Sequence, residues 1–524
     1  MIAPSNGPFM SPRTAMLGLI LLLAAAGPVR AGQPTLSYAV DLNDRADDLF
    51  KVTLTVEGLG ADNGIYQFAA TAPGTYQVMN IGRYVRSFEA RDARGRVVPT
   101  ARVALNQWRL SDPARVRTIR YRIAETWDTE VERHQVYLMC GTSIEADHVF
   151  INPHAVIGYP SGLQAAPVRL RLHYPAGWKI GTALDRDRDG SYRAESYDHL
   201  VDSPILLGRL TDARLMVTGV PVEIYAYSRT GKIRAPQLLG AMDDMLEAAG
   251  RFLGRLPVDR YTFLYHFEDR SAGAWEHAVS SAYVFHESEF TDSLGRYLTD
   301  IAAHEFFHIV TPLNIHSEVI ERFDFVTPVP SQHLWLYEGT TEWAAHAMQL
   351  RAGLKSPEEY LRKQLEKIHI DRAAFDSTYS LRELALTSYS DSGQKQYANI
   401  YMRGALTASL LDIRLLELSG GARGLQDLIL DLADRFGKDR AFPEATFVDT
   451  VVALTHPEIR DFFDRYVWES ETLPLREYYA KLGIRLVEAP DGRPIRFEID
   501  PAPTTEQRRL REAWLGRTPP PRSP

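Results

Sequence analysis

The stretch that decides the fold reads HEFFH at residues 304–308 and is followed by LWLYEGTTEW at residues 334–343. The first motif lies in a run of helical periodicity, which predicts a helix over residues 294–310. Because His304 and His308 are four residues apart, their imidazoles lie on one face of that helix, about one turn apart. That spacing lets both rings reach a single metal ion.

Zinc is the ion that such a motif favours. It binds imidazole nitrogen at ~2.0–2.1 Å, and a catalytic zinc site has three protein ligands and an open position for water. Glu305 follows the first histidine and would lie beside that water, where it accepts a proton and returns one to the leaving amine. The alternative is a buried helix whose histidines are satisfied by neighbouring carbonyl groups. We expect one Zn²⁺ ion.

A second predicted helix, over residues 332–351, supplies the third ligand. If this helix returns antiparallel to the first, Glu338 completes a triad with the two histidines. Glu342 lies one turn further on the same face, where it can accept the outer N–H of a histidine ligand and orient the ring. The alternative for Glu342 is a solvated helix face. Four nearby histidines are not assigned to the metal: His277, His316, His333 and His346.

Length and composition describe an ordinary soluble globular protein of two or three domains. The chain has 524 residues, of which 45% are apolar and 24% charged. Its formal charge of -8 argues against nucleic acid as a partner, since phosphate binding needs a basic face. Cys140 is the only cysteine, so no intrachain disulfide can form, and we expect it to be a small buried residue.

The N-terminus has the pattern of an export signal. Arg13 precedes an apolar run at residues 15–26, and Val29-Arg30-Ala31 offers a cleavage site after Ala31. We therefore expect a periplasmic or secreted protein, without stable membrane insertion once the signal is removed. Retention of the signal as a membrane anchor is the alternative.

Hydrophobic periodicity divides the chain into regions. Short runs of alternating apolar and polar residues predict an all-β region, after which helical periodicity dominates, with strand-like runs at residues 222–227 and 261–267. The predicted domains are a signal peptide at 1–31, a β domain at 32–215, a catalytic domain at 216–420, a helical region at 421–487, and an extension with a disordered tail at 488–524.

The motifs occur in an order that resembles a known family. Gly273-Ala274-Trp275-Glu276-His277, then HEFFH, then LWLYEGTTEW, is similar to the glycyl aminopeptidase family of gluzincin zinc metallopeptidases, metallopeptidase family sixty-one. The upstream segments 73–76 and 82–84 and the later segment 462–482 resemble it too. The resemblance covers about residues 35–485. It implies an α+β multidomain fold: an N-terminal β-sandwich-like domain, a thermolysin-like zinc peptidase domain and a C-terminal helical region.

The resemblance also implies substrate-binding and catalytic residues. The segment that begins with Gly273 and Ala274 would form an edge strand along the peptide substrate, and Glu276 would contact its free α-amine. The alternative for Glu276 is a surface carboxylate on an edge strand. Tyr401 would donate a hydrogen bond to the oxyanion that forms on the scissile carbonyl, and Tyr397 is its rival.

Two departures from the family are visible. The segment after the second histidine, at residues 309–316, lacks the family's cluster of Lys and Arg. We also expect no PDZ module of the kind that is common in the family, because few residues follow Glu488 in this sequence. The leading hypothesis is an aminopeptidase that removes small, Gly/Ala-type N-terminal residues from peptides. The alternatives are a zinc endopeptidase with the same site and a catalytically inactive peptide-binding protein, against which the intact Glu305 argues.

Overall fold

Alternation of apolar and polar residues in the first half of the chain produces strands with one buried face. The computed structural model describes residues 35–271 and 273–517. In the strand Leu36–Asp41, buried and half-buried residues alternate along its whole length, as a pleated strand with one face on a core requires. The signal peptide predicted at 1–31 and the tail at 518–524 lie outside the described residues.

Three sheets form the N-terminal region. The largest has the order β14-β15-β12-β1-β2-β8-β4-β5, and two four-stranded sheets have the orders β13-β16-β10-β9 and β11-β3-β7-β6. The strands are β1 (Leu36–Asp41), β2 (Leu49–Thr55), β3 (Ile65–Gln67), β4 (Val85–Asp92), β5 (Val97–Val98), β6 (Thr100–Ala104), β7 (Gln107–Leu110), β8 (Val116–Ala124), β9 (Ser143–Ile144), β10 (His148–Ile151), β11 (Tyr159–Pro160), β12 (Val168–His173), β13 (Lys179–Thr182), β14 (Asp185–Arg186), β15 (Tyr192–Ala194) and β16 (Ile205–Gly208). A short helix, α1 (Tyr197–Val201), lies between β15 and β16.

A five-stranded sheet follows, and we call it the catalytic sheet. Its order is β17-β18-β19-β21-β20, with β18, β19 and β21 parallel and the two outer strands antiparallel to their neighbours. Its strands are β17 (Thr211–Val217), β18 (Val220–Ser228), β19 (Tyr261–Glu268), β20 (Gly273–His277) and β21 (Ser280–His286). The strand predicted at residues 273–277 is therefore present, at one edge of this sheet.

Helices make up most of the remaining chain. They are α2 (Ala235–Leu253), α3 (Asp292–Phe307), α4 (Glu318–Glu321), α5 (Thr340–Arg351), α6 (Pro357–Ala374), α7 (Leu381–Leu386), α8 (Asp391–Gln396), α9 (Asn399–Ser419), α10 (Leu425–Arg435), α11 (Phe447–Leu454), α12 (Ile459–Phe463), α13 (Leu475–Ala480) and α14 (Thr505–Trp514). A hairpin of β22 (Ile484–Glu488) and β23 (Pro494–Ile499) precedes α14. None of the helices among the described residues has both the length and the apolar composition that crossing a membrane requires.

The two central helices depart slightly from their predicted limits. Helix α3 ends at Phe307, so His308 is the residue that caps it, still with a helical backbone conformation. The second helix begins as a π-helical turn, Trp335–Gly339, and continues as α5. Glu338 therefore lies on the π turn rather than on a regular α-helix, which changes the direction of its side chain.

The catalytic sheet has a different core on each face. Phe263 of β19 packs against Phe306 of α3, with ring centroids 6.1 Å apart, whereas the neighbouring residue Leu264 belongs to a separate buried cluster that includes Phe150 of β10. Each fully buried side chain of this size stabilises the fold by about 1.5–3 kcal/mol. The sheet thus holds α3 on one side and the N-terminal region on the other.

The predicted domain limits at 215 and 487 fall inside β17 and β22. Since β17 pairs along its whole length with β18, the chain enters the catalytic sheet a few residues before the predicted limit. The exact limits stay predictions.

Candidate active site

Helix α3 brings the two motif histidines to the floor of a cleft. Its first turn is capped by the Thr291 side chain, which accepts a hydrogen bond from the N–H of Leu294, and its last turn carries His304 and Glu305. His304 and His308 are buried, and their ring centroids are 4.8 Å apart at an angle of 77°. The predicted shared helix face is therefore present.

Each imidazole is oriented through its Nδ1 atom. The Nδ1–H of His304 donates to Oε2 of Glu342 at 2.8 Å, and the Nδ1–H of His308 donates to the carbonyl oxygen of Thr311 at 2.9 Å. In the neutral ring this tautomer leaves the Nε2 atom with a free lone pair. Against the effect of burial, the carboxylates of Glu338 and Glu342 raise the pKa of His304 well above its usual range, so this ring has to release a proton when it binds a metal. The two Nε2 atoms lie 3.4 Å and 3.5 Å from the same carboxylate oxygen, Oε2 of Glu338.

Two glycines place Glu338 beside the histidines. The π turn that carries it passes so close to α9 that a Cβ atom on Gly339 would lie 2.7 Å from the backbone of Gly404. Any larger residue at either position would push the turn and the helix apart. The second carboxylate oxygen of Glu338 accepts a hydrogen bond of 3.0 Å from the hydroxyl of Tyr76, which comes from the N-terminal region.

The residues His304, His308 and Glu338 fit a catalytic zinc ion. One ligand atom from each lies within 4.8 Å of the others, and two imidazoles with one carboxylate are a donor set that zinc prefers. Burial lowers the pKa of His308 to about 4, so that ring is neutral and able to ligate. Glu276, Glu305 and His308 also cluster closely enough, but that set is poorer in imidazole and would occupy Glu305 as a ligand.

Glu305 is buried and its carboxylate lines the same cleft. Burial raises the pKa of Glu305 to about 8, and the nearby Glu338 adds to the effect. A carboxyl group with a pKa near neutrality can both accept and release a proton at working pH. Its position and its pKa therefore suit a general acid and base.

The Glu342 carboxylate is held in turn by a buried lysine and a buried histidine. Lys367 of α6 forms an ion pair with its Oε1 atom, and the Nε2 of His346 lies 3.4 Å from the same oxygen. Lys355 extends this hydrogen-bonded network, because its Nζ donates to Nδ1 of His346 at 2.9 Å. Lys367 was missed in the sequence, although it occupies a position on the buried stripe of α6 where an apolar residue is expected.

Strand β20 forms one wall of the cleft. Ala274 and Glu276 line the cleft, whereas Gly273 begins the strand opposite Val284 and is not among the lining residues. Glu276 is buried, and burial with the nearby Glu338 and Glu305 raises its pKa well above the usual range. Glu276 passes so close to Gly74 that a Cβ atom added to this glycine would lie 2.2 Å from Oε1 of Glu276.

Two tyrosines at the start of α9 line the cleft as well: Tyr401 lies in its first turn, and Tyr397 lies in the short turn just before it. The ring of Tyr401 is 5.6 Å from that of His304, and its hydroxyl is hydrogen-bonded to the hydroxyl of Tyr397 at 2.7 Å. Tyr397 packs against Tyr76, with ring centroids 5.2 Å apart. Both line the cleft, and Tyr401 is the one that contacts a metal-ligand candidate.

Tyr76 was not assigned a role from the sequence. It lies 262 residues before Glu338, in a segment noted only for its family resemblance, and its backbone has a positive φ of 46°. A tyrosine in this strained conformation is uncommon and is maintained where the surroundings fix it. The single signal in the sequence was the Pro-Gly-Thr-Tyr turn itself.

Comparison with known families gives two matches. The Peptidase M61 N-terminal domain matches residues 37–209, and the M61 glycyl aminopeptidase domain matches residues 297–407. Together they span both the sheet-rich N-terminal region and the segment that carries both metal-ligand motifs. No curated protein matches the chain.

Solved structures share the fold. An aminopeptidase N family protein from Idiomarina loihiensis superposes with a TM-score of 0.76 at 22% identity, over 86% of this chain and 79% of that one. An M1 zinc metallopeptidase from Deinococcus radiodurans gives 0.51 at 14% identity, over 84% and 94% of the two chains. Yeast LTA4 hydrolase gives 0.53 at 13% identity, over 86% and 70%. These likenesses confirm the predicted α+β fold, with a sheet-rich N-terminal domain before a helical region.

Proposed function

Because this chain belongs to the M61 glycyl aminopeptidase family, a family of metallopeptidases, we propose that it is a zinc aminopeptidase that removes small, Gly/Ala-type residues from the amino end of peptides. The observation that carries the proposal is the convergence of the His304 and His308 Nε2 atoms on one oxygen of Glu338, at 3.4 Å and 3.5 Å. Glu305 and Glu276 line the same cleft.

His304, His308 and Glu338 would hold one Zn²⁺ ion in this cleft. When bound, zinc polarises the scissile carbonyl and lowers the pKa of an attacking water toward ~7. Glu342 accepts a hydrogen bond from the Nδ1–H of His304 and so keeps that ring in place. The Tyr76 hydroxyl donates to the second oxygen of Glu338 and fixes it. Both contacts leave the ligand atoms oriented before substrate arrives.

Glu305 would take the proton from the attacking water and deliver it to the leaving amine. Its pKa of about 8 allows both transfers near neutral pH. The Tyr401 hydroxyl, held by Tyr397, would donate to the oxyanion of the tetrahedral intermediate. Glu305 and Tyr401 each lie on a long helix, which supports a preorganised site.

Glu276 would bind the α-ammonium group of the substrate. A buried carboxylate is costly, as its raised pKa indicates, and a substrate cation beside it would remove that cost. A peptide without a free amine would leave the carboxylate unpaired, so the same residue selects against internal cleavage. This is the feature that favours an aminopeptidase over an endopeptidase.

The walls of the cleft support a preference for small side chains. Tyr137, Met139 and Trp275 line it near Glu276, and the indole N–H of Trp275 is held by the carbonyl of Pro73 at 3.2 Å. Large side chains beside the amine site, with Trp275 held in place, would leave little space for a bulky N-terminal residue.

A matched pair of peptides tests the proposal. Gly- or Ala-initiated peptides are compared with their N-acetylated forms, with and without 1,10-phenanthroline. We expect hydrolysis of the free-amine peptide alone and its loss with the chelator. Equal cleavage of the acetylated peptide would establish the endopeptidase alternative, and absence of cleavage in all arms would favour the inactive peptide-binding protein.

We also propose that the chain is exported, on the basis of the signal-like sequence at residues 1–31. Mass spectrometry of the protein from its natural host would test this, since cleavage after Ala31 leaves Gly32 as the first residue. An intact N-terminus in a membrane fraction would instead support the retained anchor.

A further inference from the structure

A second cluster of buried histidine and carboxylate side chains lies on the other face of the catalytic sheet. His148 begins β10, while His266 and Glu268 lie two residues apart on β19 and so project from the same face of that strand. One ligand atom from each of the three lies within 4.8 Å of the others. The cluster shares no residue with the set formed by His304, His308 and Glu338.

Three of the four ring nitrogens of this cluster lack a hydrogen-bond partner in the part of the chain that the structure describes. His266 is fully buried, and neither of its ring nitrogens has a hydrogen-bond partner among the described residues; the same holds for Nε2 of His148. Buried polar atoms are nearly always paired, because an unpaired one loses its hydration without replacement. Unpaired nitrogens on two neighbouring rings therefore point to a ligand that the two rings share, each through one nitrogen.

The orientation of His148 is that of a metal-binding histidine. Its Nδ1–H donates to Oδ1 of Asp147 at 2.9 Å, and Asp147 is itself fixed by an ion pair with Arg209. A carboxylate on the outer nitrogen sets the tautomer that leaves Nε2 free to ligate. The ring is also stacked on Tyr227, with centroids 3.8 Å apart, so its plane is fixed.

The remaining two side chains are available as ligands. The ring of His266 packs against those of Trp127 and His148, with centroids 4.9 Å and 4.8 Å apart, so it is held in place with a free nitrogen near Nε2 of His148. The nearest cation to Glu268 is Arg270, at 4.0 Å, and that guanidinium makes its closer ion pair with Asp128. Glu268 therefore has no close cationic partner among the described residues.

We propose that His148, His266 and Glu268 bind a second divalent transition-metal ion, of the zinc class, between the N-terminal region and the catalytic sheet. Two imidazoles and one carboxylate suit zinc, whereas calcium and magnesium prefer oxygen ligands alone. Because β10 belongs to the N-terminal region and β19 is the central strand of the catalytic sheet, the ion joins the two. Its role is structural, since the substrate cleft lies on the other side of β19.

Metal content tests the proposal directly. Metal-free wild-type protein is saturated with ZnCl₂, passed through a desalting column and analysed for zinc per chain. The test variants are His266→Phe, which keeps the aromatic packing, and Glu268→Gln, which keeps the shape; the control is His286→Phe, at the exposed end of the neighbouring strand β21. Glu338→Gln removes a ligand of the cleft site instead.

We expect two equivalents of zinc in the wild type and in His286→Phe, and one fewer in each test variant. Equal zinc content in the wild type and in folded His266→Phe and Glu268→Gln would overturn the proposal. If His266→Phe does not fold, as judged by circular dichroism, Glu268→Gln alone decides. A wild type with one equivalent, lost in the test variants but kept in Glu338→Gln, would support this site and overturn zinc binding in the cleft.

Discussion

The Nδ1 atom of His304 lies 2.8 Å from Oε2 of Glu342, and the other oxygen of that carboxylate forms an ion pair with Lys367. The metal-ligand candidate is thus oriented by a buried carboxylate, and the carboxylate is neutralised by a buried lysine. Lys367 holds the pKa of Glu342 well below its usual range despite the opposing effect of burial, so the group is an anion at any working pH.

Lys367→Met should weaken zinc binding without removing a ligand. Loss of the lysine cation leaves the buried Glu342 carboxylate without its strongest partner. The His304 ring, which Glu342 orients, then loses its fixed position, and we expect metal affinity to fall by about 10–100-fold. Competition with a chromophoric chelator measures the change. Lys363→Met is the matched control, because Lys363 lies one turn earlier on α6 and its side chain is 42% exposed, against 7% for Lys367. Equal affinities of the two variants would show that Lys367 does not act on the site.

Glu305→Gln should abolish turnover and keep the metal. The amide has the same shape but cannot accept the proton from water, so kcat is expected to fall by about 10²–10⁴-fold. Steady-state kinetics and zinc analysis on the same sample check both parts. Asp292→Asn, at the exposed start of α3, serves as the control. Full activity of Glu305→Gln would exclude this residue as the general base.

Glu276→Gln should lose the preference for a free α-amine. Removing one partner of a buried charge pair costs about 2–5 kcal/mol in binding, so kcat/KM should fall for a free-amine peptide and stay nearly constant for its acetylated form. The ratio of the two kcat/KM values is the measurement. A ratio equal to that of the wild type would mean that another group recognises the amine.

Tyr401→Phe and Tyr397→Phe form a matched pair that separates the two tyrosines. The oxyanion donor contributes about 10²–10³-fold to kcat, whereas a residue that only holds the donor contributes less. Because Tyr401 contacts His304 and Tyr397 packs on Tyr76, we expect the larger loss in Tyr401→Phe. The two effects should not be additive, since their hydroxyls are hydrogen-bonded. A larger loss in Tyr397→Phe would reverse the assignment.

The free energy of unfolding should fall as pH rises, because of the buried carboxyl group of Glu125. Burial raises its pKa from 4.5 to about 8 in the folded chain, although the N–H of Ile144 donates to its carboxylate and opposes the shift. Since the folded pKa is the higher one, the protonated carboxyl stabilises the fold below pH 4.5, and this contribution is lost as pH rises through 8.

Glu125→Gln should therefore be more stable than the wild type at pH 9, by about 1 kcal/mol or more, and similar at pH 4. Urea midpoints at the two pH values measure the difference. Glu130→Gln, on the exposed segment that follows, should show no such dependence. Parallel pH profiles of the wild type and Glu125→Gln would contradict the shift.

The sequence by itself determined the chemistry of the cleft. His304, Glu305 and His308 lie within five residues, and helix geometry alone places both rings on one side, so no tertiary information was needed to predict a metal site. The roles of Glu338 and Glu342 were predicted from the second motif. The two residues are one helical turn apart, so their side chains lie on the same face of the helix. Strand periodicity likewise predicted β18 and β19 to within a residue or two of each end.

Only the tertiary structure decided which distant side chains complete the site. Tyr76 reaches Glu338 across 262 residues, and Lys367 reaches Glu342 from another helix. The His148, His266 and Glu268 cluster exists because a four-stranded sheet of the N-terminal region packs on the back of the five-stranded catalytic sheet. Such contacts depend on how whole elements pack, which local spacing does not encode, and they left no sign in the sequence beyond a polar residue at a position where burial is expected.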